Sequence, residues 1–183
     1  MTDAPSEAAT TLARWQEREE ELRRGRRQWG VASPEQLAGQ SGLESFRAML
    51  AGELPGPPIG KTLDFLMVEA EAGRVVFQGK PGVAHYNPMG TVHGGWFAAL
   101  LDSALGCAVG SVLPAGKAYT TAELKINIVR PLTAKVPLVR AEGHIVHAGG
   151  RMATAEGRLT GPDGKLYAHG STTCFIFDVK PTP

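Results

Sequence analysis

Two hydrophobic patterns divide the chain, and the change between them falls near residue 58. Residues 10–27 are dense in Arg and Glu, with Trp15, Leu22 and Trp29 seven residues apart. That spacing predicts a helix whose thin apolar stripe docks on the body or on another subunit. Glu17, Glu20 and Arg24 stand at helical pairing distance along it. Residues 43–54 predict a short amphipathic helix, ended by Pro55-Gly-Pro-Pro58. Beyond it, 62–70 and 74–80 read as strands joined by a turn at Glu71-Ala-Gly73. Four further strand-like stretches, at about 118–130, 135–148, 151–160 and 165–178, are separated by turn residues such as Gly149-Gly150 and Gly161-Pro-Asp-Gly164. In the first of these, alternation puts Ala122, Leu124, Ile126 and Ile128 on one face. Tyr119, Thr121, Glu123, Lys125 and Asn127 fall on the other.

Between the two sets of strands lies the stretch 94–113, hydrophobic on nearly every face, which predicts a buried helix. Four strands in succession with no helix between them imply antiparallel pairing. The expected fold class is therefore α+β: one long buried helix wrapped by an antiparallel sheet. An N-terminal helical extension (1–57) precedes this body (58–183).

Asp102 interrupts the apolar helix. A buried carboxylate costs several kcal/mol unless it is paired, hydrogen-bonded or protonated, and no cation stands three or four residues away. A carboxylate kept for chemistry is the preferred reading over one merely satisfied by backbone donors. The same Asp, with Ser103, four glycines and no flanking basic residues, argues against a membrane span. A formal net charge of +1 argues against nucleic acid as a partner. Two cysteines outside any ligand spacing, and a start with no apolar segment, point to a reducing cytoplasm.

At the helix start, Gly94 and Gly95 leave backbone N–H groups uncovered where the macrodipole is positive, a site for an anion or a developing oxyanion. His93 adds a polar group there, and Asn87 either anchors the turn or donates to a substrate carbonyl. Asp102 lies eight residues beyond Gly94, about 12 Å along the helix. An Asp side chain does not span that distance, so the two act on one carbonyl only from different subunits. A two-fold dimer with antiparallel helices and shared sites follows. His144 and His147, three apart on a strand, are expected on opposite faces, and no metal is expected.

The run Asn87-Pro-Met-Gly-Thr-Val-His-Gly-Gly95 with Asp102 seven residues later resembles the hotdog-fold acyl-CoA thioesterases of the phenylacetic-acid-degradation type. Tyr119-Thr-Thr-Ala-Glu-Leu-Lys-Ile-Asn-Ile-Val-Arg-Pro131 and His169-Gly-Ser-Thr-Thr-Cys174 add to the likeness, which covers about 58–178. It implies a cytoplasmic thioesterase hydrolysing an aromatic or short- to medium-chain acyl-CoA, with CoA as part of the substrate and no separate cofactor. The Gly94 N–H would be the oxyanion donor, supported by His93 and Asn87. Asp102 from the opposite subunit would be base or nucleophile. Thr121, with Thr120 as the register-slipped alternative, would position water. Related 4-hydroxybenzoyl-CoA enzymes of one branch carry Glu in place of this Asp, and the shorter side chain leaves room for a bridging water. The resemblance further implies a dimer that assembles to a homotetramer, with His169 and Ser171 along the pantetheine channel. Arg130, Gly150 and Arg151 are candidates to meet CoA phosphates near strand ends.

Two other readings compete. A hotdog dehydratase would need a catalytic His in the site helix, and none follows Asp102. A non-catalytic acyl-CoA sensor would have no use for Asp102. Trp96, Phe97 and Met89 read as core before they read as an aromatic acyl pocket.

Overall fold

Six strands, β1 (Phe65–Glu71), β2 (Arg74–Gly79), β3 (Lys117–Ile128), β4 (Val139–Ala148), β5 (Met152–Thr160) and β6 (Leu166–Asp178), form one antiparallel sheet in the order β1-β2-β4-β5-β6-β3. This is a computed structural model, and it describes residues 6–25 and 28–179. Ahead of the sheet come α1 (Glu7–Gly25), α2 (Pro34–Leu37), α3 (Gly42–Leu50) and α4 (Pro58–Leu63). The apolar run forms α5 (Gly94–Gly110), which packs across β2 to β6 on the inner face. Phe97, Leu100, Leu101, Ala104 and Leu105 of α5 are fully buried against Phe65, Phe77, Ala141, Ala155 and Leu159. The α+β expectation holds.

Gly143 of β4 shows how closely the helix lies on the sheet. A Cβ there would stand 2.5 Å from the carbonyl oxygen of Ala104. Gly143→Ala is expected to destabilise the protein by about 1–3 kcal/mol, read as a drop in thermal midpoint.

Two element boundaries differ from expectation. The strand placed at 62–70 starts at Phe65, because Pro58 opens α4 and Asp64 closes it in the left-handed region (φ 50°). The strand placed from 135 starts at Val139, after a loop that carries Pro131 and Pro137. In α3, Ser41 and Glu44 form a reciprocal capping box that fixes its start.

The N-terminal stripe docks on the body. Leu22 packs on Leu66, Val68 and Val76, the outward residues of β1 and β2. The Trp15 ring lies 4.6 Å from the Arg140 guanidinium, and Gln78 donates to the Trp15 carbonyl and to Glu19. Among the described residues, the ion pairs of α1 are Arg18–Glu21, Arg23–Glu19 and Arg23–Asp64, rather than pairs among Glu17, Glu20 and Arg24. Arg26 and Arg27 lie outside the described residues.

The simple alternation expected along β3 is broken by a bulge. Thr121 pairs with Cys174 and Glu123 with Thr173, which leaves Ala122 extra. Tyr119 and Thr121 therefore share the helix-facing side with Leu124, Ile126 and Ile128, and Thr120 points outward beside Phe175. A second bulge at Val146 overturns another expectation. His144 pairs with Glu156 and His147 with Thr154, so both histidines project from the same outer face. Among the described residues, no three metal-ligating side chains converge, and no helix is long and apolar enough to cross a membrane.

Candidate active site

The loop entering α5 is tied down by Asn87. Its Oδ1 accepts from the backbone N–H of Met89 (2.9 Å) and Thr91 (3.3 Å), and its Nδ2 donates to Thr91 Oγ1 (3.0 Å). Of the two roles open to Asn87, this geometry is the turn anchor. His93 is the N-cap: its Nδ1 accepts from Gly95 N–H at 2.9 Å, which leaves the ring proton on Nε2. The Trp96 N–H bonds the His93 carbonyl. With those two donors used, the Gly94 N–H points from the helix start with no partner among the described residues. Ile128, 45% exposed, stands beside it, its Cδ1 3.4 Å from where a Cβ on Gly94 would be.

Trp96 and Phe97 are buried, and the Trp96 indole donates to the Leu63 carbonyl, so both serve the core. Met89, by contrast, is exposed in the loop ahead of α5.

Asp102 lies on a strip of α5 that a single protomer leaves half-exposed, with Ala98, Ala99, Ser103 and Cys107. The Thr121 hydroxyl donates to Asp102 Oδ1 at 2.9 Å, and Oδ2 has no partner among the described residues. The bulge at Ala122 makes this bond possible by turning Thr121 inward. Nearby, Tyr119 donates to Cys107 Sγ at 3.6 Å. Burial pushes the Cys107 thiol up to about 12 and raises Cys174 as well. Both remain protonated at neutral pH, so neither is a competent nucleophile. Asp102 is the group here with a free lone pair.

The five residues considered for CoA separate into two groups. His169 and Ser171 project from the outer face, across the sheet from Asp102, and Arg130 reaches the Leu166 carbonyl at the same end. Gly150 and Arg151 sit on the β4–β5 hairpin at the far end of those strands. Sequence reasoning missed Lys125, Asn127 and Arg158 as neighbours of His169 and Ser171. The pairing register that assembles them is a tertiary property with no local signal.

The sequence profile of the Thioesterase superfamily matches residues 89–168, which span the helix start, Asp102 and Thr121. A phenylacetic acid degradation-related protein from Ralstonia eutropha JMP134 is 31% identical, with a TM-score of 0.65 over 71% of this chain and 98% of that one. The chain belongs to the PaaI-like hotdog thioesterases. A variant of the phenylacetic acid degradation protein PaaI from Thermus thermophilus is 28% identical, with a TM-score of 0.58 over 64% of this chain and 97% of that one. PaaI from E. coli, at 20% identity and a TM-score of 0.60, covers 68% of this chain and 86% of its own and shares the fold. No protein of curated function matches the sequence. As a PaaI-like thioesterase the chain is a thioester hydrolase.

Proposed function

We propose that this hydrolase cleaves acyl-CoA thioesters of an aromatic or short- to medium-chain acid, at sites shared across a two-fold dimer. The observation that carries the reading is the Asp102 carboxylate, held at Oδ1 by Thr121 and open at Oδ2 on an otherwise apolar helix. The thioester carbonyl of the substrate accepts from the Gly94 N–H of one protomer. Asp102 of the other protomer takes a proton from water at Oδ2 while the water oxygen bonds to the carbonyl carbon. The tetrahedral oxyanion is held at the helix N-terminus. Its collapse breaks the C–S bond, and the Asp102 proton passes to the departing CoA thiolate. His93 and Asn87 keep the donor turn in place, and Thr121 orients the base.

Sharing of the site is supported by the roughly 12 Å between Gly94 and Asp102 along one helix. It is supported also by the half-exposed Ala98–Ala99–Asp102 strip and by the free edge of β3. A tetramer of two dimers is supported by large apolar side chains left open on the outer face: Met152, Phe175 and Phe177. The free thiols Cys107 and Cys174 suit a reducing cytoplasm.

Release of free CoA from a panel of aryl- and alkanoyl-CoA esters tests the reading. Turnover of at least one class is expected, and the best ester names the acyl group. If CoA esters bind but none turns over, a CoA-ester sensor replaces the hydrolase.

A further inference from the structure

Thr172 lies on the helix-facing side of β6, with Ala168 and Cys174, and is 1% exposed. A hydroxyl buried that deeply costs free energy unless it finds a partner. Its partner is a backbone carbonyl of β3: Thr172 Oγ1 donates to the Glu123 oxygen at 2.8 Å. In a regular antiparallel ladder the carbonyls lie in the sheet and aim at the neighbouring strand, away from an inward side chain. Glu123 is the residue immediately after the extra one, Ala122, where the bulge breaks that regular aim. The bond therefore belongs to the bulged register and helps to fix it.

What the bulge aims is the donor to Asp102. Before it, Thr121 stands opposite Cys174, and its hydroxyl reaches Asp102 Oδ1 at 2.9 Å. Without the extra residue, the register that pairs Leu124 with Thr172 would run on to set Thr121 opposite Phe175. Phe175 projects outward and is 52% exposed, so Thr121 would leave the helix side and Asp102 would lose its donor. Cys174 links the two hydroxyls: Thr172 Oγ1 is 3.9 Å from its Sγ, and Thr121 is in hydrogen-bonding contact with the same buried thiol. Thr173, the residue between, projects to the outer face, where its hydroxyl stands 3.4 Å from the Glu123 carboxylate.

We propose that Thr172 is a positioning residue for the hydrolysis: its buried hydroxyl holds the β3 bulge that keeps Thr121 on Asp102. This rests on the reading of Asp102 as the base. Thr172 touches no reacting atom and acts only through Thr121. With Oδ1 held by Thr121, Oδ2 is the oxygen of Asp102 left for water. A hydroxyl that merely satisfies the core would stabilise the fold without acting on the rate through Thr121, and the test separates the two.

The experiment measures kcat and KM with benzoyl-CoA and hexanoyl-CoA in two pairs that differ by the hydroxyl: wild type against Thr172→Val, and Thr172→Ser against Thr172→Ala. In each pair the member without the hydroxyl is expected to lose about tenfold in kcat with KM within about twofold, since a hydrogen bond to a charged group is at stake. Thr172→Ser gives up a buried methyl, so it is expected to melt below the wild type and still turn over near its rate. Thr173→Val makes the same change on the outer face and is expected to leave kcat unaltered. In a Thr121→Val background, removing the Thr172 hydroxyl is expected to cost nothing further, because both act through one bond. The crystal structure of Thr172→Val reads the same point without turnover, with Thr121 expected beyond bonding distance of Asp102. Activity that follows the melting temperature and not the hydroxyl overturns the proposal. So does a full further loss in the Thr121→Val background, or Thr121 still on Asp102 in that crystal structure. If Asp102→Asn is as active as the wild type, or neither ester is hydrolysed, the Asp102 reading fails by itself. The Thr172→Val structure then decides alone whether Thr172 holds Thr121.

Discussion

Asp102→Asn is expected to lower kcat by at least about a hundredfold while leaving the fold and the dimer intact. General-base groups contribute roughly 10²–10⁴ in rate, and the amide has no carboxylate lone pair with which to take the proton of water. Asn matches Asp in shape, and its oxygen still accepts from the Thr121 hydroxyl now 2.9 Å from Oδ1. Stability therefore stays near that of the wild type. Steady-state kinetics with thermal unfolding of the same sample check both halves. A variant that hydrolyses esters at wild-type rate would remove Asp102 from the chemistry.

Gly94→Pro deletes the proposed oxyanion donor and little else. Gly94 is the first residue of α5, where proline is best tolerated because its missing N–H has no intrahelical partner. The residue before it, His93, already has φ −63° and ψ 140°, the extended conformation that a following proline requires. Loss of one oxyanion donor costs about 10²–10³ in kcat. Mixing inactive Gly94→Pro and Asp102→Asn protomers then tests where the site is built. If each site takes Gly94 from one protomer and Asp102 from the other, a mixed dimer holds one intact site. Random exchange would return about a quarter of wild-type activity. A mixture that stays inactive after subunit exchange would place both groups in one chain.

Much of the frame was legible because it follows from local chemistry. The apolar run of α5, its glycine start and the lone Asp102 each carry their own signature. The seven-residue stripe of Trp15 and Leu22 likewise foretold a docked helix, though not which surface would receive it. The β-bulge at Ala122 has no such signature, since a small residue suits either face and the extra position is set by pairing with Cys174 and Thr173. That single residue decides whether Thr121 meets Asp102. The bulge at Val146, which returns His147 to the side of His144, was hidden for the same reason. Residues that meet across strands, such as Arg158, His169 and Lys125, emerge only when the register is known. Arg23 pairing with Asp64, 41 residues away, is equally beyond local reasoning.

The docking of α1 makes the extension hard to lose once gained. Gln78 is fully buried, and its amide is spent on the Trp15 carbonyl and Glu19. Leu66, Val68 and Val76 are covered by Leu22 of α1 together with Trp29 and Leu50. A descendant trimmed to the body alone would open this apolar patch to water and leave the Gln78 amide to solvent in place of the Trp15 carbonyl and Glu19. The PaaI-related chain from Ralstonia eutropha is matched over 98% of its length by 71% of this one. Shortening to that size would expose Leu66, Val68 and Val76, so the helix and the sheet surface beneath it stand or fall together.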